Sequence, residues 1–169
     1  LMRIRQAYTQ LNWEKSELVI GQAWHPMSWN VVPTVAAVNL GAPFQPFSRT
    51  PQLRYKQMLG KEFSVTAAAL YQMQFASQGP LGSTNAYQKH SLLPSMFLGF
   101  EHKNKHWLSG IGFDHKTIIP KENKLQSTSL VGYSQYQNKT FVARAKAVYG
   151  QNLSDLLMLG GYGLSNEGE

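Results

Sequence analysis

The stretch PQLRYKQMLGKEFSVTAAALYQMQ, residues 51–74, alternates at period two on both sides of Gly60-Lys61. In its first arm Gln52, Arg54, Lys56 and Met58 alternate with Leu53, Tyr55, Gln57 and Leu59. In its second arm Phe63, Val65, Ala67, Ala69, Tyr71 and Met73 alternate with Glu62, Ser64, Thr66, Ala68, Leu70, Gln72 and Gln74. Side chains two apart share one face of a β-sheet, so the pattern predicts a hairpin with one apolar and one polar face. The second arm is expected to run from Phe63 to Gln74, roughly twice the usual strand of a soluble domain. Its apolar face has an aromatic residue near each end and small aliphatic residues between. A strand that crosses a bilayer carries rings at the two interfaces in this way.

Working outward, the same pattern returns at Thr140–Gln151, where Phe141, Ala143, Ala145, Ala147 and Tyr149 oppose Arg144 and Lys146. Further strands are predicted at Arg3–Trp13, Leu18–Trp24, Leu92–His102, His106–Lys116 and Leu125–Gln137. Pro94 places the effective start of the Leu92–His102 strand just after itself. Tight turns at Glu14–Glu17, Gly60-Lys61, Lys103–Lys105 and Asn138-Lys139 alternate with long connections at 25–50, 77–91, 117–124 and 152 onward. The 25–50 connection holds Pro26, Pro33, Pro43 and Pro46, which lack the ladder's N–H donor, together with many apolar residues. That content predicts a packed loop, either one on the surface or one that folds into the mouth of a barrel. No connection offers a crossover helix, so the sheet should be antiparallel. Short turns on one edge and long loops on the other form the outer-membrane rhythm. The predicted fold is therefore all-β: an antiparallel up-and-down transmembrane β-barrel, with eight strands visible of a larger one.

The chain has 169 residues, enough for a single domain. Lys and Arg number 16 against 9 Asp and Glu, a formal charge of +7. The basic residues are scattered rather than clustered with stacking aromatics, which argues against nucleic acid as a partner. With no cysteine, a disulfide framework or thiolate metal site is excluded. No apolar run approaches the ~20 residues of a transmembrane helix. His102 and His106 flank a tight turn, but two imidazoles make an incomplete zinc site. No nucleophile elbow or comparable catalytic motif is present, so neither an enzyme nor a cofactor is expected. Both ends read as cut: Leu1-Met2-Arg3 enters a strand pattern directly, and 165–169 is polar rather than a finished strand.

Gly21-Gln22-Ala23-Trp24 followed by a long Pro-rich loop, Gly41-Ala42-Pro43-Phe44 and Pro51-Gln52-Leu53-Arg54-Tyr55 resemble the bacterial outer-membrane porin-like barrels. The resemblance covers nearly the whole chain through pattern rather than a diagnostic motif. It departs from the family in having no signal peptide and no final strand that ends in an aromatic residue. It implies passive diffusion of small hydrophilic solutes across the outer membrane of a Gram-negative bacterium, and often a homotrimer.

If the ringed faces meet lipid, the opposite faces line a lumen. Arg54, Lys56, Asp114, Lys116, Arg144 and Lys146 then line it, joined by Arg3 and Arg5 from the first strand, with Glu62 and Glu101 among the acids. Arg49, in the 25–50 segment, is the expected cation of a constriction loop. The lining is net positive and must be wet, since unpaired charges are costly in a dry interior. A wet positive lumen attracts anions. The rival expectation turns the sheet inside out: a soluble eight-stranded barrel whose ringed faces surround a small apolar ligand.

Overall fold

The computed structural model describes residues 4–29, 31–32 and 42–162. It contains one sheet of eight antiparallel strands in the order of the chain. These are β1 (Ala7–Asn12), β2 (Ser16–Trp24), β3 (Arg49–Met58), β4 (Phe63–Leu70), β5 (Ser95–Lys103), β6 (Trp107–Ile118), β7 (Leu125–Gln137) and β8 (Val142–Gly150). Each strand pairs with the next, and among the described residues β1 and β8 do not pair with each other. The sheet is all-β, up-and-down and open.

The four tight turns close through short backbone bonds: Trp13 N to Ser16 O at 2.8 Å, Leu59 N to Phe63 O at 2.7 Å, Asn104 N to Trp107 O at 2.8 Å and Asn138 N to Phe141 O at 2.9 Å. The last turn thus spans 138–141, longer than the two residues expected. Asn104 and Asn138 each use a side-chain oxygen to accept two backbone N–H groups of their turn, the local bonding that favours Asn in turns. In β2, Gly21 has φ +126°, and a Cβ there would lie 2.4 Å from the Ala7 carbonyl oxygen. Glycine lets β1 approach at that point.

Most strand ends differ from expectation by one to three residues, and two differ by four. β4 stops at Leu70 rather than Gln74, because its partner reaches Pro51, which has no N–H to extend the ladder. Tyr71 N still bonds the Pro51 carbonyl at 2.9 Å, and Gln72 N then turns to Gln88 Oε1 at 2.6 Å. The break after it contains a short helix, α2 (Ala86–Ser91), whose first turn is tied by Thr84 Oγ1 accepting from Ala86 N at 3.2 Å. The first strand begins at Ala7, four residues later than read from the sequence.

Register sorts the side chains into two faces. The long connections fold over one face, here called inner. Met27 and Val31 from the 25–32 segment, with its short helix α1 (Pro26–Trp29), pack there with Leu153 and Leu156 against Ala68, Leu70, Phe97, Val131 and Tyr133. Over the middle of the outer face the described residues provide no such cover: Ile20, Leu53, Leu98, Phe100, Ile111, Phe113 and Leu130 are all exposed.

Candidate functional site

Charge on the strands is confined to one face with a single exception. The strands carry Glu17, Arg49, Arg54, Lys56, Glu101, Lys103, Asp114, Lys116, Arg144 and Lys146, and by register all but Arg49 lie on the inner face. Arg49 belongs to the outer face, sharing parity with Leu53 and Tyr55. It is the first residue of β3 rather than part of a constriction loop. Its guanidinium is buried beside the rings of Trp24 (5.0 Å), Phe47 (5.4 Å) and Phe75 (5.9 Å). Cation–π attraction and shielding by three rings allow that one charge on the apolar side.

Toward the tight turns, the inner face is a row of ion pairs. Arg54 Nη2 lies 3.8 Å from Glu17 Oε1, and Lys56 Nζ lies 2.8 Å from Glu101 Oε1. Tyr133 donates its hydroxyl to Glu101 Oε2 at 2.9 Å. These groups, with Tyr8, Gln10 and Pro26, surround a cavity of about 330 Å³. Further along the sheet, Arg144 donates from Nε to Gln135 Oε1 at 2.7 Å. Lys146 Nζ reaches the Ser28 carbonyl oxygen at 3.4 Å, which ties β8 to the infolded 25–32 segment.

Toward the long loops, the inner face is closed. Lys116 is buried and donates to the Asp155 carboxylate and the Asn152 carbonyl. Both acceptors belong to a segment with a 3-10 turn at Ser154–Leu156. Gln72 Nε2 donates to Asp155 Oδ2 and to Ser77 Oγ, each at 3.1 Å. Phe47 N bonds the Leu156 carbonyl at 2.8 Å, and Gln78 N bonds Ser154 Oγ at 3.0 Å. Most of these buried polar groups find partners, as burial demands, while Asn152 Nδ2 and Asp114 Oδ2 are buried without a hydrogen bond. Asp114 is buried too, with Oδ2 3.7 Å from His25 Nε2. His25 Nδ1 accepts from Met27 N at 3.2 Å, so that nitrogen carries no proton. Burial pushes the His25 pKa down to about 4, partly opposed by the Asp155 carboxylate and reinforced by Lys116, Lys146 and Arg54.

These positions revise the expected lining. Arg54, Lys56, Arg144 and Lys146 are on the inner face, but the β3 cations are neutralised by Glu17 and Glu101. Asp114 and Lys116 share that face yet lie under the infolded loops. Arg5 precedes β1 and is exposed, and the alternation it continues, Ala7, Thr9 and Leu11, is the outer one. Arg3 falls outside the described residues. Glu62 sits in a turn, 3.3 Å from His102 Nε2, and does not face the inner surface. His102 stacks near Phe63 and His106 near Tyr136, so the two imidazoles have separate partners.

Sequence reasoning missed Glu17, Tyr133 and Asp155. Glu17 reads as part of a charged turn, though its spacing with Val19, Gly21 and Ala23 marks one strand face. Asp155 carried no signal, because its partner Lys116 is 39 positions away. A comparison with family models, curated proteins and solved structures finds no match.

Proposed function

We propose that the chain forms part of the wall of an outer-membrane channel of porin type, passing small hydrophilic solutes with a preference for anions. The observation that carries this reading is the segregation of charge: every strand Asp, Glu and Lys faces inward, while the outer face mixes exposed Leu, Ile, Phe and Ala with uncharged polar residues and histidines and holds Arg49 as its one strand Arg. A sheet with water on its outer face has no need to exclude charge from it, whereas Arg or Lys facing hydrocarbon at mid-bilayer costs ~2–4 kcal/mol. Outer aromatics gather toward the tight turns, with Trp107 and Tyr136 centroids 5.0 Å apart and Tyr136 and Phe141 6.4 Å apart. Such rings suit the membrane–water interface. The rival soluble barrel needs the ringed faces buried around a ligand, and here they are exposed.

Among the described residues the outer edges of β1 and β8 are unpaired, and such edges cannot rest in lipid, where backbone groups must be bonded. Further strands therefore complete the wall, and a homotrimer suits the reading. The infolded 25–32 segment, with Pro26 beside the Arg54–Lys56 cavity, narrows the lumen. Anion preference comes from the inner-face excess of Lys and Arg, which Glu17, Glu101, Asp114 and Asp155 only partly offset. Single-channel recording in planar bilayers under a salt gradient tests this. Stepwise conductance with an anion-selective reversal potential is expected; no conductance, or cation selectivity, would refute the channel or the charge assignment respectively.

A further inference from the structure

The formal charges around the inner-face cavity cancel: Arg54 and Lys56 line it together with Glu17 and Glu101. One of the two ion pairs is closed. Lys56 meets Glu101 Oε1 at 2.8 Å, and Tyr133 occupies the other carboxylate oxygen at 2.9 Å. The second pair is open. Arg54 Nη2 and Glu17 Oε1 stand 3.8 Å apart, beyond hydrogen-bond distance. Gln10 donates to Glu17 Oε2 at 2.9 Å. Among the described residues, neither the Arg54 guanidinium nor Glu17 Oε1 has a hydrogen bond. The two side chains are 23 % and 31 % exposed, so a solute in the cavity reaches both.

Aromatic rings form the floor. The Phe97 ring lies across Gly112, where a Cβ would come 2.6 Å from Phe97 Cζ, and the Tyr133 ring lies across Gly110, where a Cβ would come 2.5 Å from Tyr133 Cζ. These two positions need glycine because the rings rest on the sheet itself. Pro26 of the infolded segment borders the same space. At about 330 Å³ the cavity is at the small end of ligand pockets, which run from about 300 to 1,000 Å³.

We propose that this cavity binds a zwitterionic amino acid with an apolar side chain, its carboxylate on the Arg54 guanidinium, its ammonium on Glu17 Oε1 and its side chain against Phe97 and Pro26. The site presupposes the channel reading, in which solute passes along the inner face. Charge complementarity selects the class. A guanidinium fork suits a carboxylate bidentately, and a zwitterion laid head to tail along the open pair meets an opposite charge at each end. A simple anion leaves Glu17 unmatched beside it, and a simple cation does the same to Arg54. Binding here is therefore separate from the anion preference that excess Lys and Arg give the inner face as a whole.

The test is saturation-transfer NMR on the detergent-solubilised protein with L-phenylalanine and its two half-molecules, 3-phenylpropionate and 2-phenylethylamine. One matched charge at ~4 Å in water contributes up to roughly five-fold in affinity. Phenylalanine should therefore bind several-fold more tightly than either half-molecule. Arg54→Gln should weaken phenylalanine and phenylpropionate several-fold while phenylethylamine binding holds or tightens. Glu17→Gln should weaken phenylalanine and phenylethylamine while phenylpropionate binding holds or tightens. The ligand that each variant keeps reports an intact cavity. A half-molecule that binds the unaltered protein as tightly as phenylalanine would overturn the proposal, as would no saturation transfer to any of the three. Phenylalanine binding unchanged in either variant would do the same. Binding is read here without a membrane or a current. Bilayer conductance without the phenylalanine preference thus refutes the site alone, and the preference without conductance refutes the channel alone.

Discussion

Lys56 Nζ sits 2.8 Å from Glu101 Oε1, on neighbouring faces of β3 and β5 that both look inward across β4. In the proposed channel, the pair would remove from the lumen a cation that the composition alone would count. Replacing Glu101 by Gln frees that charge, and Lys56→Gln frees the carboxylate instead. In a wet lumen one unit charge at ~4 Å is worth about 1 kcal/mol, or roughly five-fold in local ion concentration. Reversal potentials in a salt gradient should therefore move toward anions for Glu101→Gln and toward cations for Lys56→Gln. Two shifts of the same sign would contradict the pairing.

The Lys116–Asp155 pair fastens the 3-10 turn to the inner face. Breaking a buried pair by removing one partner costs about 3–5 kcal/mol, whereas an apolar replacement of both can be nearly neutral. Asp155→Ala should lower the denaturant midpoint strongly and expose the 151–159 segment to protease. Lys116→Met/Asp155→Leu should recover most of the stability. A double variant as unstable as Asp155→Ala would show that the hydrogen bonds of Gln72 and Asn152, not the ion pair, hold the segment.

Stability should also depend on pH through His25. Its folded pKa, held down to about 4 by burial, lies below the ordinary 6.5. Between those values the unfolded chain binds a proton that the folded chain does not, so stability rises with pH across this window. The contribution is complete above about pH 6.5 and is lost as pH falls toward 4, on the order of 3 kcal/mol. His25→Asn keeps an acceptor for the Met27 N–H and removes the titration. The wild-type-minus-variant difference in unfolding free energy should climb from pH 4 to 6.5 and then level off. A flat difference would mean that water reaches the imidazole.

Much of this fold was legible in the sequence because strand alternation is local. The alternation of Leu125–Gln137 marks both ends of β7, and the parity that separates Arg54 and Lys56 from Leu53 and Tyr55 is the parity of the hairpin's two faces. The long connections were less readable. α2 spans six residues, too few to display a helical period, and Tyr87 and Gln88 are buried by contacts the sequence does not announce. Arg49 shows the limit most clearly. A cation beside Pro-rich sequence invites a role in the lumen, yet its place depends on Trp24, Phe47 and Phe75, which converge only in three dimensions.

Everything functional depends on which face meets lipid, and the absence of native cysteine makes that face addressable. Leu98 and Thr66 lie near the middle of β5 and β4, on the outer and inner faces respectively. Single variants Leu98→Cys and Thr66→Cys would be reconstituted in vesicles and treated with a charged, membrane-impermeant thiol reagent. A fluorescent label at each site would then be quenched by spin-labelled lipid chains. Lipid on the outer face predicts a Leu98→Cys thiol that resists the charged reagent, with its label quenched by the lipid, and a Thr66→Cys thiol that reacts, with its label unquenched. A Leu98→Cys thiol that reacts freely with the charged reagent and escapes lipid quenching would contradict it.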